Sequence, residues 1–306
     1  MTTKFDLHAL SKALAGKLGV KELELGEVDV GCSSVVFRAH VPGGRDIFVK
    51  VYPPTHFDEL ERTLGFLRSA GQSKFLPEAM LSAPLDWQDV KVMAFSWQDS
   101  KHILPENMTD NEARSLARAY IEISSLFAKS QHIAPPRDIV ALYNTIESFA
   151  KRFAILRGAL SSLLSIKEDL RTYSKEKLVA VHGDLQYRNF GFVHGEVASF
   201  YDFDTLRYGA IAEDLLYAIS ERMMRLKTSR TKRRHLVHIL GVIIAECPWP
   251  IEEWWRALAI CRIRAAAKRI SKHPANPFVA FDVLRRDRRF GEIARSLDMP
   301  QMAKKW

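Results

Sequence analysis

The sequence predicts an α+β protein in which strands come first and helices follow. Residues 22–52 and 77–97 alternate apolar and polar positions and are punctuated by Gly and Pro, as strands joined by turns are. From residue 109 onward apolar residues recur at helical spacing instead. The helical part is interrupted by a short apolar strand at 178–181 and a hairpin pattern at 190–201.

The elements can be justified in order. Glu22-Leu23-Glu24-Leu25 opens the first strand, and Gly31-Cys32-Ser33-Ser34 is a loop of small residues. Val35 to Val41 reads as the second strand, Pro42-Gly43-Gly44 as a turn, and Asp46 to Tyr52 as the third strand, which carries Lys50. Gly31 permits unusual backbone angles, and Ser33 and Ser34 let backbone amides approach an anion. Residues 56–70 form a helix with Phe57, Leu60, Leu64 and Leu67 as its apolar stripe. Val90 to Phe95 is a further strand. Thr109-Asp110-Asn111-Glu112 is a capping box that starts a helix running to about Lys129. Two helices are expected near 138–155 and 158–173, and others from Ile211, Trp249 and Pro277.

The most informative segment is Val-His-Gly-Asp-Leu-Gln-Tyr-Arg-Asn at 181–189, followed by Phe-Tyr-Asp-Phe-Asp at 200–204. Asp184 precedes Asn189 by five residues, and Asp202 lies thirteen residues beyond the Asn. Phosphoryl transfer from a nucleotide uses such a set. One carboxylate positions the attacking hydroxyl and takes its proton, while an amide oxygen and a second carboxylate hold magnesium against the phosphates. Lys50, on an apolar strand, needs an anionic partner if its charge faces inward.

The His-Gly-Asp loop, the Gly-Cys-Ser-Ser-Val-Val-Phe-Arg segment at 31–38 and Lys50 resemble the aminoglycoside phosphotransferase and choline kinase family of small-molecule kinases. That resemblance implies a bilobal protein-kinase-like fold, with an antiparallel β N-lobe over residues 1–97 and a mainly helical C-lobe over 98–306. It implies ATP or GTP with Mg2+, and a small-molecule hydroxyl as acceptor. Asp184 is then the catalytic carboxylate, His182 orients its loop, and Asn189 and Asp202 ligate the metal. Gly31, Ser33, Ser34 and Lys50 contact the nucleotide phosphates. A helix Glu, Glu61 with Glu59 in reserve, orients Lys50. Backbone groups from Ala94 to Trp97 meet the adenine edge, beside Phe95 and Trp97. Asp204 either reaches a second metal or pairs with an Arg such as Arg207. Asp214 holds the catalytic loop by hydrogen bonds.

Composition narrows the partners. The chain has 306 residues and a formal charge of +9. Residues 221–306 hold 20 Lys/Arg and 8 Asp/Glu, which leaves 25 basic and 28 acidic residues elsewhere. The basic excess therefore belongs to the C-terminal third, and Arg suits carboxylate and phosphate. An anionic sugar, of the kind met in lipopolysaccharide cores, is the expected acceptor, with Arg262 and Arg269 on one helix face as candidate substrate residues. The alternatives are a cationic acceptor of the aminoglycoside or choline type, and a non-enzymatic kinase fold that binds a polyanion. No nucleic-acid partner is expected. No apolar run is long enough to span a bilayer, so a cytoplasmic location is expected, with peripheral membrane contact left open. The three cysteines, Cys32, Cys247 and Cys261, have no metal-type spacing and suit free thiols.

Overall fold

The computed structural model describes residues 6–27, 35–130, 133–166, 178–224 and 229–296. The small-residue loop with Gly31, Cys32, Ser33 and Ser34 lies outside these residues.

The chain opens with α1 (Leu7–Leu18), which the strand reading did not anticipate. Asp6 caps it by accepting from the Ala9 N–H, and Gly19 ends it in the left-handed region. A five-stranded antiparallel sheet follows, built from β1 (Glu24–Glu27), β2 (Val35–His40), β3 (Ile47–Tyr52), β4 (Leu85–Trp87) and β5 (Val90–Ser96) in the order β1-β2-β3-β5-β4. Period-two alternation sets what each face does. Phe48, Lys50 and Tyr52 of β3 point to one face, where Phe95 of β5 stands opposite Phe48 with ring centroids 6.3 Å apart. Between β3 and β5, α2 (Phe57–Ala70) packs Leu60 and Leu64 into the sheet's core with Leu10 and Leu14 of α1.

The helical part starts at α3 (Asp110–Phe127), whose capping box forms as expected: Thr109 accepts from the Glu112 N–H while Glu112 accepts from the Thr109 N–H at 2.7 Å. Next come α4 (Ile139–Arg152) and a short α5 (Ser161–Leu164). The chain then turns into β6 (Val179–Val181), the hairpin of β7 (Phe190–Val193) and β8 (Glu196–Phe200), and β9 (Arg207–Gly209), which pairs with β6. Among the described residues four helices close the fold: α6 (Glu213–Met224), α7 (Arg230–Glu246), α8 (Ile251–Lys272) and α9 (Val279–Ser296).

Phe203, between Asp202 and Asp204, fixes the junction of the two parts. Its ring lies 4.9 Å from Phe66 of α2, 6.3 Å from Phe127 of α3 and 5.1 Å from His182. Burying such a ring stabilises the fold by about 1.5–3 kcal/mol. It also fixes the depth at which the flanking carboxylates enter the cleft. No described helix is long and apolar enough to cross a membrane. Cys247 and Cys261 are free thiols, and burial pushes Cys247 up to about 12.

Candidate active site

The loop from His182 to Asn189 leaves β6 and enters β7, so two short strands fix both its ends. Asp214, at the start of α6, holds its first turn. The buried carboxylate accepts from the His182 N–H at 2.6 Å, the Gly183 N–H at 2.9 Å and the Tyr120 hydroxyl at 2.6 Å. Three donors offset the desolvation of that charge. His182 is fully buried, and its Nε2–H donates to the Tyr201 carbonyl at 2.7 Å, tying the loop to the strand end that delivers Asp202.

Gly183 has φ +87°, and a Cβ there would lie 2.2 Å from the Thr205 carbonyl and 3.1 Å from the Arg207 side chain. Only glycine satisfies both the backbone angle and the space. Arg207 fills the volume behind the loop and pairs with buried Glu213.

Asp184 presents a carboxylate that is 24 % exposed. Asn189 is anchored by donating Nδ2–H to the Asp184 carbonyl at 2.8 Å, which turns its amide oxygen to the other side. Asp202 sits at φ +64°, a left-handed angle that a non-glycine residue holds only when its surroundings impose it. Its carboxylate is 44 % exposed and lines the cleft under the sheet with Phe48, Lys50, Phe95, Tyr201 and Asp204.

Lys50 closes this cleft. Its ammonium donates to Asp202 Oδ1 and Asp204 Oδ2, each at 2.5 Å. Burial would push the lysine down, but Tyr52, Asp204 and Asp202 outweigh it and hold the ammonium charged. Asp204 is buried, and it also accepts from Thr63 Oγ1 at 3.0 Å and the Tyr52 hydroxyl at 3.2 Å. Burial raises its proton affinity, whereas Lys50 keeps that of Asp202 low against the same tendency.

Several sequence expectations need correction here. Glu61 does not orient Lys50: the register of α2 turns Thr63 inward and leaves Glu61 exposed, while Glu59 pairs with His56 at 2.5 Å. Asp204 does not pair with Arg207, which is committed to Glu213. The Ser96 and Trp97 N–H groups donate to the carbonyls of Glu78 and Asp46, so neither is open to an adenine edge. Phe95 lines the cleft, but the Trp97 ring lies 4.7 Å beneath the Arg38 guanidinium. Arg262 is only 4 % exposed and forms a two-pronged pair with Asp287 at 2.8 and 3.1 Å. Arg269 pairs with Asp282 at 2.6 Å. The packing of α8 against α9 thus consumes the two arginines expected to meet substrate.

Reasoning along the sequence also missed three side chains around Asp184. Gln186 Nε2–H donates to Asp184 Oδ2 at 2.7 Å, and Arg264 of α8 donates to Oδ1 at 2.8 Å. Arg137, just before α4, donates to the Gly183 carbonyl at 2.9 Å. Gln186 lies within the motif and was legible there. Arg137 and Arg264 carry no local signal, because only tertiary packing brings them to the loop.

The model of the phosphotransferase enzyme family matches residues 24–236, well over half of the chain. The chain belongs to that family. None of the curated proteins matches this phosphotransferase by sequence. Among solved structures it resembles aminoglycoside 2'-phosphotransferase-IIIa in its GDP complex, with a TM-score of 0.66, 10 % identity and coverage of 94 % of this chain and 99 % of that one. It also resembles amicoumacin kinase hAmiN in complex with AMP-PNP and Ca2+, with a TM-score of 0.61 and 14 % identity over 95 % and 94 % of the two chains. Spectinomycin phosphotransferase APH(9)-Ia, with ADP and spectinomycin, gives 0.59 and 13 % over 98 % and 95 %. At these identities the likeness is one of fold, the kinase-like arrangement of an antiparallel sheet beside a helical part.

Proposed function

We propose that this phosphotransferase moves the γ-phosphoryl group of ATP or GTP, with Mg2+, onto a hydroxyl of a small molecule, and that its acceptor is an anionic sugar or glycan. The observation that carries the transfer reading is that Lys50 meets Asp202 in the cleft while the loop of Asp184 and Asn189 is tied to the adjoining Tyr201 through the Asn189 carbonyl, so three separate segments of the chain come together. In this reading residues 1–97 bind the nucleotide and residues 98–306 supply the catalytic loop and the acceptor walls.

Each residue then has a physical task. Asp184, fixed by Gln186, stands ready to accept the proton of the attacking hydroxyl. Asn189 and Asp202 offer hard oxygen donors, the kind magnesium prefers, and Asp202 is exposed enough to reach an ion in the cleft. Magnesium bound there would neutralise the phosphate oxygens. Lys50, kept charged, is placed to meet the nucleotide phosphates. His182 and Asp214 act through the loop they hold, because both are buried.

The surroundings of Asp184 support the anionic acceptor class. The helical part brings Arg264 and Arg137 to this loop, and two cations oppose a cationic acceptor. A cationic antibiotic remains the second reading, because several similar structures are antibiotic kinases. A polyanion-binding pseudokinase fits less well, since the chain carries Lys50, Asp184, Asn189 and Asp202. The test is ADP release from Mg·ATP in the presence of neutral, cationic and anionic hydroxyl compounds. Stimulation led by anionic compounds supports the proposal, and stimulation led by aminoglycosides favours the second reading.

A further inference from the structure

We propose that Arg137 and Arg264 form a binding site for an anionic group, phosphate or carboxylate, carried by the acceptor. The inference rests on the phosphotransferase reading and assigns the residues that select its substrate.

Three guanidinium groups gather at Gly183 and Asp184 of the catalytic loop, and their partners are unequal. Arg207 is taken by Glu213. Arg264 donates to Asp184 Oδ1 at 2.8 Å and to the Gly183 carbonyl at 3.3 Å, lies 3.9 Å from Glu213, and stacks 4.0 Å over the Tyr217 ring. Arg137 donates to the Gly183 carbonyl at 2.9 Å and pairs with no carboxylate among the described residues. A half-buried cation without a counter-charge is costly, and the cost falls when an anion arrives. Burial, with the neighbouring Arg264 and Arg207, pushes Arg137 down to about 10 against the pull of Glu213 and Asp184.

The geometry indicates an acceptor group over a nucleotide phosphate. The cleft beneath the sheet is lined from Phe48, Lys50, Tyr52, Thr63 and the Asp202–Asp204 segment, whereas both arginines gather outside that lining, at Gly183 and Asp184 of the catalytic loop. Arg137 precedes α4 and Arg264 sits in α8, so both reach the loop from the helical part. Each guanidinium has five donors in a planar fork that matches carboxylate and phosphate oxygens. Arg264 already holds one carboxylate, that of Asp184. An acceptor anion bridging Arg137 and Arg264 would place a nearby hydroxyl beside Asp184.

The experiment is calorimetric titration of the full chain loaded with Mg·ADP. The probes are inorganic phosphate, glucose 6-phosphate, ribose 5-phosphate and glucuronate, with glucose and glucosamine as neutral and cationic controls. At least one anion should bind more tightly than both controls. Arg137→Ala should weaken that binding by about ten- to a hundredfold, the worth of one or two hydrogen bonds to a charged group. Arg137→Lys should recover part of it, and Mg·ADP affinity should stay within about twofold, which also reports that the variants fold. The site is overturned if none of the four anions binds, if Arg137→Ala leaves their affinity unchanged, or if glucosamine binds best. A parallel titration with Mg·AMP-PNP separates the sources of the anion. Loss of affinity for it in Arg137→Ala, with ADP binding kept, would place Arg137 on the γ-phosphoryl group and overturn the acceptor assignment. Failure of the wild type to bind Mg·ADP would overturn the phosphotransferase reading itself, and this site with it.

Discussion

The Lys50 ammonium lies 2.5 Å from the Asp204 carboxylate across 154 residues of sequence, and this contact joins the sheet to the segment that carries Asp202. Asp204 is in turn held by Thr63 of α2 and Tyr52 of β3. The lysine is therefore oriented by the second carboxylate of the Asp-Phe-Asp segment, whereas the helix glutamate faces solvent.

Asp204→Ala should consequently be far more damaging than Glu61→Ala. Removing one partner of a buried pair costs about 3–5 kcal/mol. An exposed helix charge is worth within about 0.5 kcal/mol. Denaturant unfolding of both variants, with ATP affinity measured alongside, checks this. Equal stability of the two, or a larger loss of ATP affinity in Glu61→Ala, would return the orienting role to the helix.

Gly183→Ala should disable the loop. The left-handed backbone alone costs about 1–3 kcal/mol for a residue with a side chain, and the added carbon would collide with the Thr205 carbonyl. Lower unfolding stability together with loss of turnover is the expected result. A fully stable and active variant would show that the loop can relax around the methyl group.

The pair of Glu106 with Arg222 gives a pH dependence. Burial works to raise the glutamate, but the Arg222 guanidinium outweighs it and holds the carboxyl below its ordinary 4.5. A carboxylate lowered in the folded state contributes stability that is fully present above its unfolded value and is lost as the pH falls through the folded one. The stability advantage of the wild type over Glu106→Gln should therefore be largest near neutral pH and narrow below about pH 4.5. Denaturant titrations across this range measure it. A constant gap would mean that the ionised form contributes nothing.

Much of this could be read from the sequence because it is locally encoded. The Thr109–Glu112 capping box, the alternation of β3, and the spacing of Asp184, Asn189 and Asp202 each lie within a few turns of chain. What could not be read depends on register and distant packing. Glu61 and Thr63 lie two positions apart on nearly opposite sides of α2, so the register of the helix decides which of them faces the cleft. Arg262, Arg264 and Arg269 share α8, and the sequence spacing singled out Arg262 and Arg269. Packing against α9 gives Asp287 to Arg262 and Asp282 to Arg269, and leaves Arg264 to reach Asp184. The C-terminal charge excess was legible, but the pairing of Arg262 with Asp287 and of Arg269 with Asp282 was not.

Asp202→Ala should weaken ATP binding in the presence of magnesium and much less in its absence, because this carboxylate acts on phosphate through the ion. Titrations with and without magnesium make the comparison. Equal weakening in both would mark Asp202 as a tether for Lys50 alone.

The central claim is that Asp184 is the base of a phosphoryl transfer, and ADP release by Asp184→Asn tests it most directly. Measured with Mg·ATP and the acceptor compound that most stimulates the wild type, turnover should fall by about 10²–10⁴-fold while Mg·ATP affinity stays nearly unchanged. Turnover that survives the substitution, or that is lost only in step with nucleotide binding, would contradict the account.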